Sequence, residues 1–145
     1  MFDYLYKSFL VWFLGFFPLF EIYVAVPAGM AMGLDPFSVI LFSVTGNFAP
    51  VLLIEYGYRW LIRFSRIRKW LRKPVSYRLV ENVNRYGIWF IILITPWTGV
   101  WIMASAAKIL QMKKKVLIWG SFISIVVYAI VIVFLIMAGV EIFSG

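Results

Sequence analysis

Glu21 is the only Asp, Glu, Lys or Arg in an apolar run from about Phe9 to Leu34. Counted from Phe9 at the helical rise of 1.5 Å per residue, it lies about 18 Å deep. That is near the midplane of a hydrocarbon core about 30 Å thick. A lone carboxyl there is costly unless it is paired, protonated or hydrated, so a functional role is the default and a proton carrier the natural one. The plainer alternative is an acid capping the half-helix that follows, where the helix dipole favours negative charge. Asn47 stands about ten residues into the next apolar run, again near mid-depth. It suits either a bond to freed backbone or a contact to Glu21 or a substrate. Thr95, Pro96, Thr98 and Gly99 interrupt a third run, where hydroxyls and backbone carbonyls could line a hydrated cavity. Trp97 and Trp101, one turn apart, could stack on a flat or cationic molecule, although packing or interface anchoring explains them as well. Glu55 precedes Arg59 by one turn, and an i,i+4 pair accounts for it.

The remaining chemistry is excluded by composition. There is no cysteine and no histidine, so a disulfide framework, a zinc site and thiol or imidazole catalysis are ruled out. Six acids are too few and too scattered for a carboxylate metal cage. No nucleophile–base arrangement is present, so neither an enzyme, nor a metal, nor a cofactor is expected.

The elements that must hold these residues are apolar throughout. The 145 residues are 64% hydrophobic, 20% aromatic and 14% charged, with a mean hydropathy of +0.96. A soluble domain carries about 45–50% apolar and about 25% charged residues. An all-α integral membrane protein is expected. The net charge of +8 then marks loops facing an anionic leaflet rather than a nucleic-acid surface. Four stretches, Phe9–Leu34, Phe37–Tyr58, Gly87–Leu110 and Val116–Val140, reach the length of about 20 residues that a span needs. The second and fourth read as continuous helices, with a bend expected at Gly46 and Pro50. The first is broken by Pro18, Glu21 and Pro27, the third by Thr95, Pro96 and Gly99. Ala25, Gly29 and Gly33 recur every four residues, which allows close helix packing.

The order is broken, whole, basic linker, broken, whole. Glu21 precedes Gly46 by 25 residues, as Thr95 precedes Gly120, which suggests two repeats, 1–58 and 87–145, joined by a linker over 59–86. Paired interrupted segments point to a transporter site. Between Arg59 and Arg85 there are nine basic residues and one acid, Glu81, and Lys108, Lys113, Lys114 and Lys115 form a second cluster. Four full spans would put the two clusters on opposite sides, against the positive-inside rule. If each broken segment enters and leaves on one side, both clusters become cytoplasmic, while Asp3, Asp35 and Glu141 become external. The expected protein is then a multi-pass protein of the cell membrane with two re-entrant helical hairpins, each followed by a spanning helix, as inverted repeats.

Within the linker, Trp60, Phe64, Ile67 and Leu71 share one helical face, with Arg59, Arg63, Arg66 and Lys69 around the other. This predicts a helix in the headgroup layer, ended by Pro74, and a short second helix over Ser76–Tyr86. It serves as a topology anchor, or as a contact for anionic lipid headgroups through those four basic residues. No cleaved signal peptide is expected, because the first apolar run lacks a basic n-region and a small-residue cleavage site.

Pro18-Leu19-Phe20-Glu21, Val26-Pro27 and Gly46-Asn47 with Pro50 form one group of motifs. Thr95-Pro96-Trp97-Thr98-Gly99-Val100-Trp101, running on through Ala106-Ala107 to Met112-Lys113-Lys114, forms another. In this order, over about Phe17 to Lys115, they resemble the family called putative small multidrug export protein, itself distantly similar to the DedA, or VTT-domain, membrane proteins. That resemblance implies two re-entrant hairpins meeting at mid-membrane. Ile22 and Tyr23 stand where the family pattern carries an arginine, and the second hairpin lacks the arginine of DedA proteins. An arginine fork would be the natural phosphate clamp.

The reading that combines these observations is a transporter of an amphiphilic or lipid-like substrate, proton-coupled through Glu21. Its expected pathway comprises Glu21, Tyr23, Pro27, Asn47, Thr95, Pro96, Trp97, Thr98 and Gly99. Its partners are membrane lipids, anionic on the cytoplasmic side, and the sequence leaves room for a homo-oligomer. Two alternatives stand beside it: a four-span proton-coupled exporter of lipophilic cations, and a passive scramblase or membrane-organising protein.

Overall fold

The computed structural model describes residues 1–72 and 77–144, with side chains over 1–69 and 85–139. Among these residues there are seven helices and no strand: α1 (Phe2–Phe16), α2 (Glu21–Ala31), α3 (Pro36–Leu61), α4 (Ser65–Arg72), α5 (Tyr77–Thr98), α6 (Val100–Ile109) and α7 (Lys114–Ser144). The two runs expected to be whole are whole. Stretches of 26 residues in α3 (Pro36–Leu61) and in α7 (Lys114–Gly139) are long and apolar enough to cross a membrane. The two runs expected to be broken are broken into short helices. At 15 and 11 residues, α1 and α2 measure about 22 and 16 Å, each short of a 30 Å core.

The helices group into two compact units, Met1–Asn47 with Ile125–Gly145, and Phe48–Ser124. In the first, α2 turns back along α1. Phe17 is extended, as the residue before a proline must be, and Pro18–Phe20 form the turn. Packing in this unit relies on close backbone approach. A Cβ on Gly15 would meet the Ser43 carbonyl oxygen and the Asn47 nitrogen, and one on Gly46 would meet the Trp12 carbonyl, so α1 and α3 touch through their backbones. Gly29 lies against Val11 and Val39, which is the packing role its spacing suggested. Gly33 has no such contact; its φ of +76° makes it the left-handed residue that ends α2. Pro27 does not break α2 but lies inside it. The first turn of α3 is capped by Asp35, whose carboxylate accepts the Ser38 N–H at 2.9 Å. Pro36 takes the first helical position, where its missing N–H costs nothing. Tyr4, near the start of α1, is hydrogen-bonded to the Ser38 hydroxyl at 2.8 Å.

In the second unit α5 packs on α6, and α6 also contacts α4. Gly87 (φ 54°, ψ −126°) kinks α5, so the helix expected over Ser76–Tyr86 is the arm of α5 that begins at Tyr77. The helix expected across Arg59–Pro74 is split instead. α3 continues to Leu61, and Arg63 and Phe64 donate to Trp60 and Leu61 in a tightened last turn. α4 then starts at Ser65. Pro74 lies outside the described residues. Near the end of α3, Glu55 pairs with Lys108 of α6 at 3.0 Å, a partner from another helix rather than the expected Arg59. Beside it the Lys114 ammonium sits 4.1 Å from the centre of the Tyr56 ring.

One succession of backbone landmarks occurs twice, 78 positions apart. Pro18 and Pro96 each precede by three residues a left-handed residue at a helix break: Glu21 (φ 50°) and Gly99 (φ 81°). A short helix follows, and each ends with a second left-handed residue, Gly33 (φ 76°) and Gln111 (φ 54°). Both ends carry the paired bonds of a Schellman cap: Gly33 and Leu34 donate to Met30 and Gly29, Gln111 and Met112 to Lys108 and Ala107. The long helices then start at Pro36 and Lys114. This register pairs Glu21 with Gly99, four residues on from the Glu21–Thr95 correspondence that glycine spacing suggested.

Candidate functional site

Glu21 is 7% exposed and opens α2 at the break. Non-glycine residues seldom adopt its φ of 50°. It lies in the first helical turn and not at the cap position, which Phe20 holds without a side-chain bond. The carboxyl therefore sits where the helix dipole favours charge, on a helix whose Ile22, Ala25 and Val26 are also buried. Tyr23 is half-turned outward at 42% exposed, and Pro27 is exposed too. Asn47, in the same unit, is 1% exposed, and its Oδ1 has no hydrogen-bond partner among the described residues. The hydroxyl oxygen of Ser8 is orphaned in the same way. Buried polar atoms normally find partners, so two orphans in the unit that holds Glu21 mark an unusually polar interior for so apolar a chain.

The second interruption is built differently. Thr95 and Thr98 donate their hydroxyls to the carbonyls of Ile91 and Ile94, one turn back. These hydroxyls satisfy the helix. Pro96 cannot donate to the carbonyl of Ile92, four residues earlier. The hydroxyl of Ser124, from α7, fills that place at 2.9 Å. Together these bonds carry α5 through Pro96 to Thr98, and the break falls at Gly99. Trp97 is 86% exposed whereas Trp101 is 8% exposed, with the break at Gly99 between them. Ser124 was not singled out from the sequence, since one serine in an apolar helix carries no sign of its partner.

Among the basic residues expected at headgroups, Arg59, Arg63, Arg66 and Lys69 are all exposed. Arg59 closes α3, Arg63 lies in the turn, and Arg66 and Lys69 lie on α4. Trp60 and Phe64 remain in edge-to-face contact, with ring centres 5.4 Å apart.

Helices alone among the described residues, two of them long and apolar enough to span, with a buried acid at a helix break, fit an all-helical membrane protein. Residues 21–132 match the family model described as "Putative small multi-drug export protein", and the chain belongs to that family. That description is of an exporter. No curated protein and no solved structure gives a significant match.

Proposed function

We propose that this chain is a proton-coupled transporter of an amphiphilic or lipid-like substrate, in which Glu21 takes and releases the proton. The observation that carries the reading is the burial of Glu21 at a helix break in a chain otherwise built for lipid. An intramembrane acid of this kind marks a substrate or proton pathway by default, and broken helices at depth belong where they line a cavity. The orphaned oxygens of Asn47 and Ser8 suit a path that a polar group or water enters. At each helix break the proposed path has its own residues, Glu21 at the first and Thr95, Pro96, Thr98 and Gly99 at the second. Tyr23, Pro27 and Trp97 face outward and would meet substrate only at its edge.

The architecture proposed is the DedA-like one, with two re-entrant hairpins entering from opposite faces. Two contacts support it. Tyr4 bonds to Ser38, so the start of α1 lies at the level of the start of α3. Had Phe9–Leu34 crossed as one span, these two residues would be on opposite surfaces. Likewise Lys108 meets Glu55, so the end of α6 lies beside the end of α3, where the basic linker begins. A full span over Gly87–Leu110 would have carried Lys108 to the other side. Lys108 thus falls on the Arg59 side of α3, cytoplasmic by the positive-inside rule.

A lipophilic cation is the second candidate cargo, favoured by the family's description as a multidrug exporter and by the buried acid. Transport of a fluorescent lipid and of tetraphenylphosphonium into liposomes, each with and without a pH gradient, tests both. Wild type should transport one of them in a gradient-dependent manner, and Glu21→Gln should abolish that dependence. Unchanged transport and pH response in Glu21→Gln would remove the proton role, and gradient-independent lipid flipping would favour a scramblase.

A further inference from the structure

Away from the pathway, Phe48 of α3 and Ile118, Trp119 and Phe122 of α7 line an open groove of about 220 Å³ with apolar side chains only. Phe122 stands edge-on between the other two rings, its centre 5.3 Å from that of Phe48 and 6.3 Å from that of Trp119. Whole-ligand pockets run from about 300 to 1,000 Å³, so this groove suits one stretch of a chain. Trp119 is 59% exposed and Phe122 38% exposed, so the groove opens outward and not into the protein.

The helix register adds a charge at one end. Lys115, Ile118, Trp119 and Phe122 stand at i, i+3, i+4 and i+7, a single face of α7. Lys115 is exposed and has no acid partner among the described residues, whereas Lys114 is drawn over Tyr56. From Lys115 to Phe122 is about 10 Å along the axis, the step from headgroup level into the hydrocarbon. The start of α7 is where this apolar helix must leave the membrane.

We propose that this face binds an anionic phospholipid, with the phosphate at Lys115 and an acyl chain between Phe48, Trp119 and Phe122. A soluble anion would leave the aromatic groove unused, and a neutral lipid would leave Lys115 unused. The site rests on the membrane reading of α7 alone and is independent of proton coupling.

Native mass spectrometry of the purified full chain in detergent tests it, with dioleoyl phosphatidylglycerol, dioleoyl phosphatidylcholine and glycerol phosphate as probes. Wild type should retain phosphatidylglycerol in preference to phosphatidylcholine. Lys115→Gln should weaken phosphatidylglycerol about fivefold and leave phosphatidylcholine unchanged, while Trp119→Ala should weaken both. Because Trp119→Ala could disturb folding, Trp119→Phe gives a second readout. It should remove the tryptophan fluorescence that dibrominated phosphatidylglycerol quenches more than dibrominated phosphatidylcholine does. Retention unchanged in both Lys115→Gln and Trp119→Ala, or lost only on Arg66→Gln, would overturn the proposal. So would displacement of the lipid by glycerol phosphate at equal concentration, which would identify a site for a free phosphate compound.

Discussion

Glu21 shows how far single residues could be anticipated. Its standing out was legible, because one acid in an apolar run needs a reason, and the side chain is buried. Its left-handed backbone was not, since nothing in the local sequence demands it; Gly99, at the other break, also takes a positive φ (81°) and as a glycine does so without the penalty. For an L-residue that conformation costs about 1–2 kcal/mol. The cost separates the two roles open to Glu21. If the acid serves transport, Glu21→Gly should unfold in detergent within about 1 kcal/mol of wild type while losing gradient-driven transport. A much larger loss of stability would mean that the carboxylate is a structural cap. Asp35 gives the clearest titration. The Ser38 hydroxyl and then the Ser38 N–H hold its carboxyl below the ordinary value of 3.8. A depressed carboxylate contributes stability that is complete above that value and disappears as pH falls through the lowered one. Wild type should therefore melt higher than Asp35→Asn near neutrality, and the gap should close in acid. A gap that persisted well below pH 3.8 would contradict the bond to Ser38 as its source.

At the level of helices, the whole and broken runs were legible from proline placement and length. The precise breaks were not. Pro18 follows the end of α1, yet Pro96 leaves α5 intact for two more residues, because Ser124 reaches across to the carbonyl that Pro96 abandons. That rescue is tertiary and leaves no local pattern. Ser124→Ala should strand the Ile92 carbonyl and cost about 1 kcal/mol, read as a shift in thermal or denaturant unfolding. No change would mean that another donor takes its place. The contact between α1 and α3 is less forgiving. A methyl on Gly46 would strike the Trp12 carbonyl, which is backbone and cannot rotate away. Gly46→Ala should destabilise by about 1–3 kcal/mol or more, whereas Gly57→Ala, whose nearest neighbour is a Leu53 methyl at 3.6 Å, should stay near wild type. Glycine spacing placed Glu21 opposite Thr95, whereas the recurring left-handed residues and Schellman caps place it opposite Gly99; Gly46 and Gly120 each serve a close approach of their own.

For the molecule as a whole, charge was the most informative signal, since fourteen basic residues fall largely in two clusters that four plain spans would separate. The central claim is that two hairpins open to opposite sides of the membrane, bringing a buried acid to one of their tips. Side-specific labelling tests it most directly, because the chain has no cysteine of its own. Single cysteines at Asp3, Arg68 and Lys113, all exposed, would be treated in intact cells with an impermeant maleimide. Labelling of Asp3→Cys alone, with Arg68→Cys and Lys113→Cys reacting only after permeabilisation, is the predicted result. Labelling of Lys113→Cys with protection of Asp3→Cys would mean four full spans, and the opposed hairpins would be contradicted.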